Sequence, residues 1–157
     1  MTHCNRARRG FTTIELLIVM AIMGLVASIA WPRASTGIAS NALRSAKLQV
    51  RARLVRARAT AVQQGSATRF VRSGNTVKIL LEQGAALTAI GATADMYSSE
   101  KVTVATSSDT IRFDRRGFAP GITSASNYQI IRLSRGTLKD SLCVSRLGVI
   151  SDRATCQ

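Results

Sequence analysis

The sequence predicts an α+β protein in which a long N-terminal, transmembrane α-helix packs on a C-terminal antiparallel β-sheet head. Three observations support this fold class: an apolar run over Phe11–Trp31, a helical period over Arg33–Gln64, and a period of two from Ser66 onwards. The expected organisation is a leader (1–10), an apolar transmembrane helix (11–32), an amphipathic helix that continues into the head (33–65) and an antiparallel β head (66–157).

The apolar run carries a single charge, at Glu15, and is followed by Pro32. At about 1.5 Å per residue, a helix over Phe11–Trp31 is about 30 Å long, which is enough to cross the hydrocarbon core of a bilayer. The run is longer than the core of a secretory signal peptide, and no small-residue cleavage site follows it. A carboxylate in hydrocarbon costs at least ~2.5 kcal/mol and usually has a function. Neither a secretory leader nor a plain membrane anchor therefore accounts for this segment.

The segment Arg33–Gln64 is predicted to be an amphipathic helix that ends at Gly65. Small and apolar residues recur every three or four positions and form a stripe that should bury against the sheet: Leu43, Ala46, Val50, Leu54, Ala57 and Ala61. Basic residues form a second stripe: Arg44, Lys47, Arg51 and Arg58, with Arg53 and Arg56 between them. Two interpretations of this basic stripe stay open. It is either a solvated face whose long stems cover apolar surface, or a surface that contacts lipid phosphate, acidic partner subunits or DNA.

Beyond Ser66, the pattern predicts strands at Thr68–Arg72 and Thr76–Leu81, joined in a hairpin by Ser73-Gly74-Asn75. The segment Glu82–Ser99 is rich in Ala, Gly and Thr and is predicted to be an irregular loop. A turn is predicted at Asp114–Gly117 and a loop at Phe118–Ser126. Three further strands are predicted at Val102–Ala105, Thr110–Phe113 and Tyr128–Leu133. A closing hairpin is predicted from Leu142–Ser145 and Val149–Ser151, joined through Arg146-Leu147-Gly148.

The composition argues against catalysis and for contact with anions. The net charge is +14, and no acidic residue occurs between Leu16 and Leu81, so this part of the chain should attract phosphate on nucleic acid or lipid. The only histidine, His3, lies in the leader, and no residues have the spacing of a zinc site or of a catalytic group. We therefore expect no enzyme activity, no catalytic residue, no metal and no cofactor.

The residues from Arg9 to Leu17, Arg-Gly-Phe-Thr-Thr-Ile-Glu-Leu-Leu, resemble the class III signal of type IV prepilins and type II secretion pseudopilins. This resemblance implies that a membrane-embedded prepilin peptidase cuts after Gly10 and N-methylates Phe11. It also implies that Glu15 neutralises the N-terminus of a neighbouring subunit during assembly, since a buried carboxylate needs a positive partner, and that Pro32 kinks the helix. The implied location is the bacterial inner (cytoplasmic) membrane, crossed once, with the head in the periplasm or outside.

The head resembles the GspH/FimT family in Ile111–Gly117 and Cys143–Ile150. That family holds H-type minor pseudopilins of type II secretion and related minor pilins of type IV pili. Its Phe-(Asp/Asn)-x-x-Gly turn is present, whereas the late hairpin has Val149 where the family often has arginine. Some members bind DNA through a basic C-terminal loop built on glycine-arginine. The candidate phosphate or DNA contacts here are basic residues of the helix and of the C-terminal region: Arg51, Arg53, Arg56, Arg146 and Arg153.

The resemblance places the head in an oxidising compartment, where Cys143 and Cys156 form an even pair once Cys4 is lost with the leader. A disulfide between them would close a loop of about 14 residues and would stabilise the head by roughly 3 kcal/mol. Two free buried thiols are the alternative.

Together, the two resemblances imply a structural minor pseudopilin or minor pilin that assembles into a type II secretion pseudopilus or a type IV pilus. The expected partners are prepilin peptidase, other pilin or pseudopilin subunits and, before assembly, membrane lipid; a secreted protein substrate and DNA are further candidates. The alternatives are a DNA-binding minor pilin for DNA uptake in natural transformation and a prepilin-like protein that stays unassembled in the membrane. Secretion and pilus systems share this signal and this head, so the sequence leaves both open.

Overall fold

The computed structural model describes residues 11–122 and 127–152, except for the side chains at positions 30 and 32–34. The chain divides into two compact units, Met1–Ile38 and Ala39–Gln157. Helix α1 (Thr13–Gln64) contributes its N-terminal part to the first unit and its C-terminal part to the second. We call Ala39–Gln157 the head.

Helix α1 buries one face within the head, as its period predicted. The six residues of the predicted apolar stripe are all buried: Leu43, Ala46, Val50, Leu54, Ala57 and Ala61. Small residues on this face allow close approach, and Thr68 Oγ1 donates a hydrogen bond to the carbonyl oxygen of Ala57 at 2.8 Å. The helix ends at Gln64, and Gly65 follows with φ +59°, in the left-handed conformation that ends many helices. The predicted stripe and the predicted stop are both confirmed.

The rest of the head is an antiparallel β structure with one short helix among its described residues. Its elements are β1 (Thr68–Ser73), β2 (Thr76–Gln83), β3 (Ala86–Ala89), β4 (Ala94–Asp95), α2 (Met96–Glu100), β5 (Thr103–Thr106), β6 (Thr110–Phe113), β7 (Tyr128–Arg135), β8 (Leu138–Ser145) and β9 (Ile150–Asp152). One sheet has the order β3-β2-β1-β6, with β4 also paired to β2, and the other has the order β5-β7-β8-β9. The α+β fold class is confirmed, whereas the pattern did not indicate that the strands divide into two sheets.

The core joins α1 to both sheets. Its largest fully buried side chains include Phe70 and Phe113 from the first sheet, Ile131 and Leu142 from the second, and Leu54 from α1. All of these belong to one hydrophobic cluster. Burial of apolar surface on this scale is the main source of stability in a head of this size.

The side chain of Arg72 connects the two sheets. Strands β5 and β6 follow each other in sequence but belong to different sheets. Arg72 lies on β1 of the first sheet, and its side chain contacts β5 of the second sheet. Its guanidinium donates to the carbonyl oxygen of Val104 at 3.2 Å and to Thr106 Oγ1 at 3.1 Å, and it also pairs with Asp109. These bonds satisfy polar groups at the point where the chain leaves one sheet for the other.

The predicted hairpins are confirmed. Strands β1 and β2 pair with Ser73 opposite Thr76, around Gly74 at φ +60°, and β8 pairs with β9. Strands β7 and β8 are longer than predicted, because Gly136 at φ +58° turns the chain tightly between them. Of the predicted loop Phe118–Ser126, residues 118–122 form no strand, and 123–126 lie outside the described residues.

The irregular loop predicted at Glu82–Ser99 is wrong. This segment contains β3, β4 and most of α2. All four residues of β3 are exposed, so no alternation of apolar and polar residues marked the strand, although it pairs with β2 in regular register. Helix α2 begins after Asp95, whose carboxylate accepts hydrogen bonds from the backbone N–H groups of Tyr97 and Ser98.

Candidate assembly segment and basic surface

The first turn of α1 holds the predicted assembly glutamate. Thr12 precedes the helix, and its Oγ1 accepts a hydrogen bond from the N–H of Glu15 at 3.2 Å. The carbonyl oxygen of Thr12 accepts the N–H of Leu16, also at 3.2 Å. Thr-x-x-Glu is the sequence pattern of a capping box, and a negative charge is favoured at a helix N-terminus. The carboxylate of Glu15 is exposed in this first turn, and its role between subunits stays a prediction.

The N-terminal part of α1 is apolar on every side. Phe11 is 76% exposed and Trp31 is 79% exposed. The large apolar residues between them are exposed as well: Ile14, Leu16, Leu17, Ile18, Val19, Met20, Ile22, Met23, Leu25, Val26 and Ile29. Within the described ranges, no helix combines the length and the mean hydropathy needed to cross a membrane. A helix without a polar face requires an apolar environment around it.

In the head, the predicted Phe-Asp-x-x-Gly segment forms a tight turn. The Oδ1 atom of Asp114 accepts the N–H groups of Arg116 and Phe118, each at 2.9 Å. The N–H of Gly117 donates to the carbonyl oxygen of Asp114 at 2.9 Å, with Gly117 at φ +82°. The aspartate and the glycine of the motif therefore both have a direct geometric role.

The late Ser-x-x-Gly segment forms a second turn that touches the first. The N–H of Gly148 donates to the carbonyl oxygen of Ser145 at 2.8 Å, and Gly148 has φ +75°. A Cβ atom at position 148 would overlap the carbonyl oxygen of Gly117. Arg58 on α1 completes the contact, since its Nε donates to the same oxygen at 3.1 Å. The two motifs that the sequence singled out thus meet in space, and we call them the joined turns.

The candidate phosphate contacts lie in different surroundings. Arg51 is exposed on α1. Arg53 donates from Nη1 to the carbonyl oxygen of Ala92 at 2.7 Å, and the guanidinium of Arg56 lies against Gly91. Two of the three helix arginines are therefore directed towards the connection between β3 and β4.

The joined turns carry a different set of basic residues. Arg146 is exposed on the second turn, and its carbonyl oxygen accepts the N–H of Ala119 at 2.9 Å. Arg115 and Arg116 are exposed on the first turn. With Arg112 they line a depression of about 540 Å³ beside that turn. The contact between the two turns therefore places Arg146 on a turn that adjoins the turn of Arg115 and Arg116.

Two ion-pair clusters hold basic residues of the head, Arg112 among them. Lys47 Nζ lies 3.0 Å from Asp140 Oδ1 and 3.0 Å from Asp152 Oδ1. Burial lowers the pKa of Lys47, but the hydrogen bonds to both carboxylates outweigh it and the pKa is raised. Glu82 lies between Arg112 and Arg69, at 2.8 and 2.5 Å. The bond to Arg112 and, against the effect of burial, the bond to Arg69 lower the pKa of Glu82 to about 2.

The comparisons with known proteins agree with this arrangement. A protein-family model described as "Prokaryotic N-terminal methylation motif" matches residues 5–31. A crystal structure of the type IV minor pilin FimU of Pseudomonas aeruginosa resembles the chain with a TM-score of 0.59 and 18% identity, covering 73% of this chain and 90% of that one. The chain therefore has a pilin-like fold and carries a prokaryotic N-terminal methylation motif. A second crystal form of FimU gives a TM-score of 0.55 at 18% identity, over 70% of this chain and 91% of that one. No curated protein sequence matches the chain.

Several predicted site residues of this pilin-like chain lie beyond what the structure describes. Gly10, Arg153 and Cys156 are outside the described residues, and Pro32 lies in α1 at a position without a described side chain. Cleavage after Gly10, methylation of Phe11 and the kink at Pro32 therefore stay predictions. Cys143 is fully buried in β8 and is disulfide-bonded. Its pairing with Cys156 also stays a prediction.

In the part of the chain that the structure describes, no three His, Cys, Asp or Glu residues form a group that could hold a metal ion. Sequence reasoning missed the role of Arg58, because its contact with Gly117 joins residues far apart in the chain. It also missed Arg115 and Arg116 as neighbours of Arg146, since that proximity depends on the joined turns.

Proposed function

We propose that this chain is a structural minor pilin or pseudopilin that is cut after Gly10, N-methylated at Phe11 and incorporated into a type IV pilus or a type II secretion pseudopilus through α1. One observation carries the proposal: the N-terminal part of α1 exposes apolar side chains on every side and has one carboxylate, Glu15, in its first turn. Burial of each of these large apolar side chains would contribute about 1.5–3 kcal/mol, which contacts within the chain do not provide. Neighbouring helices of a fibre, or lipid before assembly, would supply it.

Gly24 supports close packing with neighbouring helices. A Cβ atom at this position would meet nothing within the described part of the chain, so the glycine has no packing role there. Small residues allow helix backbones to approach closely in apolar surroundings. The N-methylated amine of a neighbouring Phe11 would then provide the positive partner that Glu15 needs once it is buried.

Processing tests this proposal directly. The full-length chain is expressed in its host, and the mass and N-terminal residue of the protein recovered from sheared fibres are measured. The expected product begins at N-methyl-Phe11. In Gly10→Val the precursor should accumulate and should be missing from the fibres, whereas Arg132→Ala, at an exposed position of the head, provides a processed control. Recovery of uncut chain in fibres would contradict the proposal.

A disulfide between Cys143 and Cys156 is proposed as part of the same head. Its support is the full burial of disulfide-bonded Cys143 and the position of Cys156 in the C-terminal residues. Cys156→Ser should lower the free energy of unfolding by roughly 3 kcal/mol. Equal melting temperatures with and without reductant would contradict this pairing.

DNA binding for uptake is the second candidate function, and the joined turns favour it. They place Arg146 on a turn that contacts the turn of Arg115 and Arg116, independently of the arginine that the family's motif would place at Val149. Binding of the full-length chain in uncharged detergent to double-stranded DNA is measured at about 50 and 200 mM salt. Under this candidate function, replacing all three arginines by alanine weakens binding and flattens its salt dependence, while Arg51→Ala has a smaller effect. Equal losses in both variants would leave only a general attraction to phosphate.

A further inference from the structure

The head part of α1 has a second apolar face on the side opposite the buried one. Three large residues stand out on it: Leu48 is 57% exposed, Val55 51% and Val62 52%. Ala52 and Ala59 lie between them and are also exposed. The spacing along the chain alternates between four and three, which is the repeat of a coiled-coil seam. We call these five residues the outer face.

Basic residues flank the outer face at the positions that select partners in a coiled coil. If the five residues occupy positions a and d, then Arg44, Arg51 and Arg58 occupy position g and Arg56 occupies position e. Arg44, Arg51 and Arg56 form no ion pair with any of the described residues. Their charge is therefore available to a partner that covers the apolar seam.

The charge pattern argues against a second copy of the same helix as that partner. Between Thr13 and Gln64, the only acidic residue of α1 is Glu15, in the first turn. A second α1 would offer no carboxylate opposite these arginines and would add further arginines beside the outer face. Like charges at positions e and g disfavour pairing, whereas opposite charges favour it and set the orientation of the partner.

We propose that the outer face docks an acidic amphipathic helix of a companion subunit, with apolar residues in its seam and Glu or Asp beside them. This inference rests on the proposed function, because it concerns the neighbours of the chain in a fibre. It gives the basic stripe a specific role, in which the arginines admit an acidic helix and exclude a copy of this chain. A subunit with such a face enters an assembly beside different subunits and does not form a homopolymer through this surface.

Synthetic peptides of about four heptads test the partner's chemistry. The first peptide has Leu in its seam and Glu at positions e and g, the second has Lys in place of Glu, and the third copies residues 39–64 of this chain. Their binding to the full-length protein in uncharged detergent is followed by fluorescence anisotropy. The acidic peptide should bind at least about tenfold more tightly than the other two at low salt, and the ratio should shrink as salt increases. Equal binding of the acidic and basic peptides, or tightest binding of the self peptide, would overturn the inference.

Charge reversal distinguishes this surface from general attraction. The variant with Arg44→Glu, Arg51→Glu and Arg56→Glu should prefer the basic peptide, and Val55→Asn should weaken binding of the acidic one by about tenfold. Arg132→Glu, an exposed position on β7, serves as the control and should change neither preference. A reversed variant that still prefers the acidic peptide refutes the inference. If no peptide binds but the chain is processed and recovered in fibres, the docking inference is wrong and the proposed function stands. If the acidic peptide binds but the chain never enters fibres, the proposed function is wrong and the docking inference stands.

Discussion

The N-terminal part of α1 and the head differ in how their apolar side chains are buried. In the head, the buried face of α1 meets two sheets within the same chain, and Leu54 is fully inaccessible. In the first unit, equally apolar residues such as Leu17 and Ile22 remain exposed. One helix therefore contains a segment whose partners are encoded in its own chain and a segment whose partners are not. The difference indicates which apolar residues stabilise the fold of the head and which do not contribute to it.

The same contrast holds for small and charged residues. Gly148 is required by the chain itself, because a Cβ there would overlap the backbone of Gly117, while Gly24 meets nothing among the described residues. Glu82 lies between two arginines of its own sheet, while Glu15 is exposed at the start of its helix. Each pair consists of one residue type in two surroundings, so substitutions in both members test the comparison.

The largest expected difference concerns leucine. Leu54→Ala should lower the free energy of unfolding of the head by about 2–5 kcal/mol, because it leaves a cavity between α1 and the sheets. Leu17→Ala should leave it unchanged within about 0.5 kcal/mol. Denaturant unfolding of the full-length chain in uncharged detergent measures both. Similar losses in the two variants would remove the distinction between the segments.

Glycine gives the next effect. Gly148→Ala should destabilise the head by about 1–3 kcal/mol, because the new methyl group meets the carbonyl oxygen of Gly117 and the backbone has positive φ. Gly136→Ala is the matched control within the head: it has a φ of +58° but open space around it, so its loss should be smaller. Gly24→Ala should not affect unfolding of the head. If Gly136→Ala and Gly148→Ala lower the free energy of unfolding equally, then the positive φ alone explains the loss, and the contact between the joined turns does not contribute to stability.

The smallest effect concerns the carboxylates and depends on pH. The pKa of Glu82 is lowered from 4.5 to about 2 in the folded head. The ionised form therefore stabilises the fold above pH 4.5, and this contribution is lost as the pH falls towards 2. Allowing for solvent around the cluster, we expect about 1–2 kcal/mol. Glu82→Gln should remove this part of the acid dependence, and Glu15→Gln should retain it. A steep loss near neutral pH would point to a different group.

Sequence reasoning predicted the parts of the fold that are governed by local periodicity. The buried stripe from Leu43 to Ala61 and the stop at Gly65 follow from a helical period and one glycine, and the β1–β2 hairpin follows from alternation around Gly74. Strand β3 was missed because exposure of all its residues leaves no period to detect. The division into two sheets and the contact of Arg58 with Gly117 depend on distant residues, which a local pattern does not specify.

Within the candidate site, the roles given to Phe11 and Glu15 stay predictions, whereas the turn at Asp114–Gly117 is confirmed. The Phe11 and Glu15 region was identified from the spacing of the signal, and the two head motifs were identified as turns. Their contact, and the grouping of Arg115 and Arg116 with Arg146, required the structure. The direction of the Arg53 and Arg56 side chains towards the β3–β4 connection was likewise invisible, since the pattern there indicated only a loop.

Recovery of two variants in sheared fibres tests the central claim, that the first turn of α1 acts between subunits. Thr12→Ala removes the oxygen that accepts the Glu15 N–H and leaves the carboxylate in place, whereas Glu15→Gln removes the charge and leaves the Thr12 bond. If Glu15 pairs with a neighbour's N-terminus, Glu15→Gln should be processed but lost from fibres, while Thr12→Ala should remain in them. Equal recovery of the two variants, or loss of Thr12→Ala alone, would mean that this turn serves only the start of the helix.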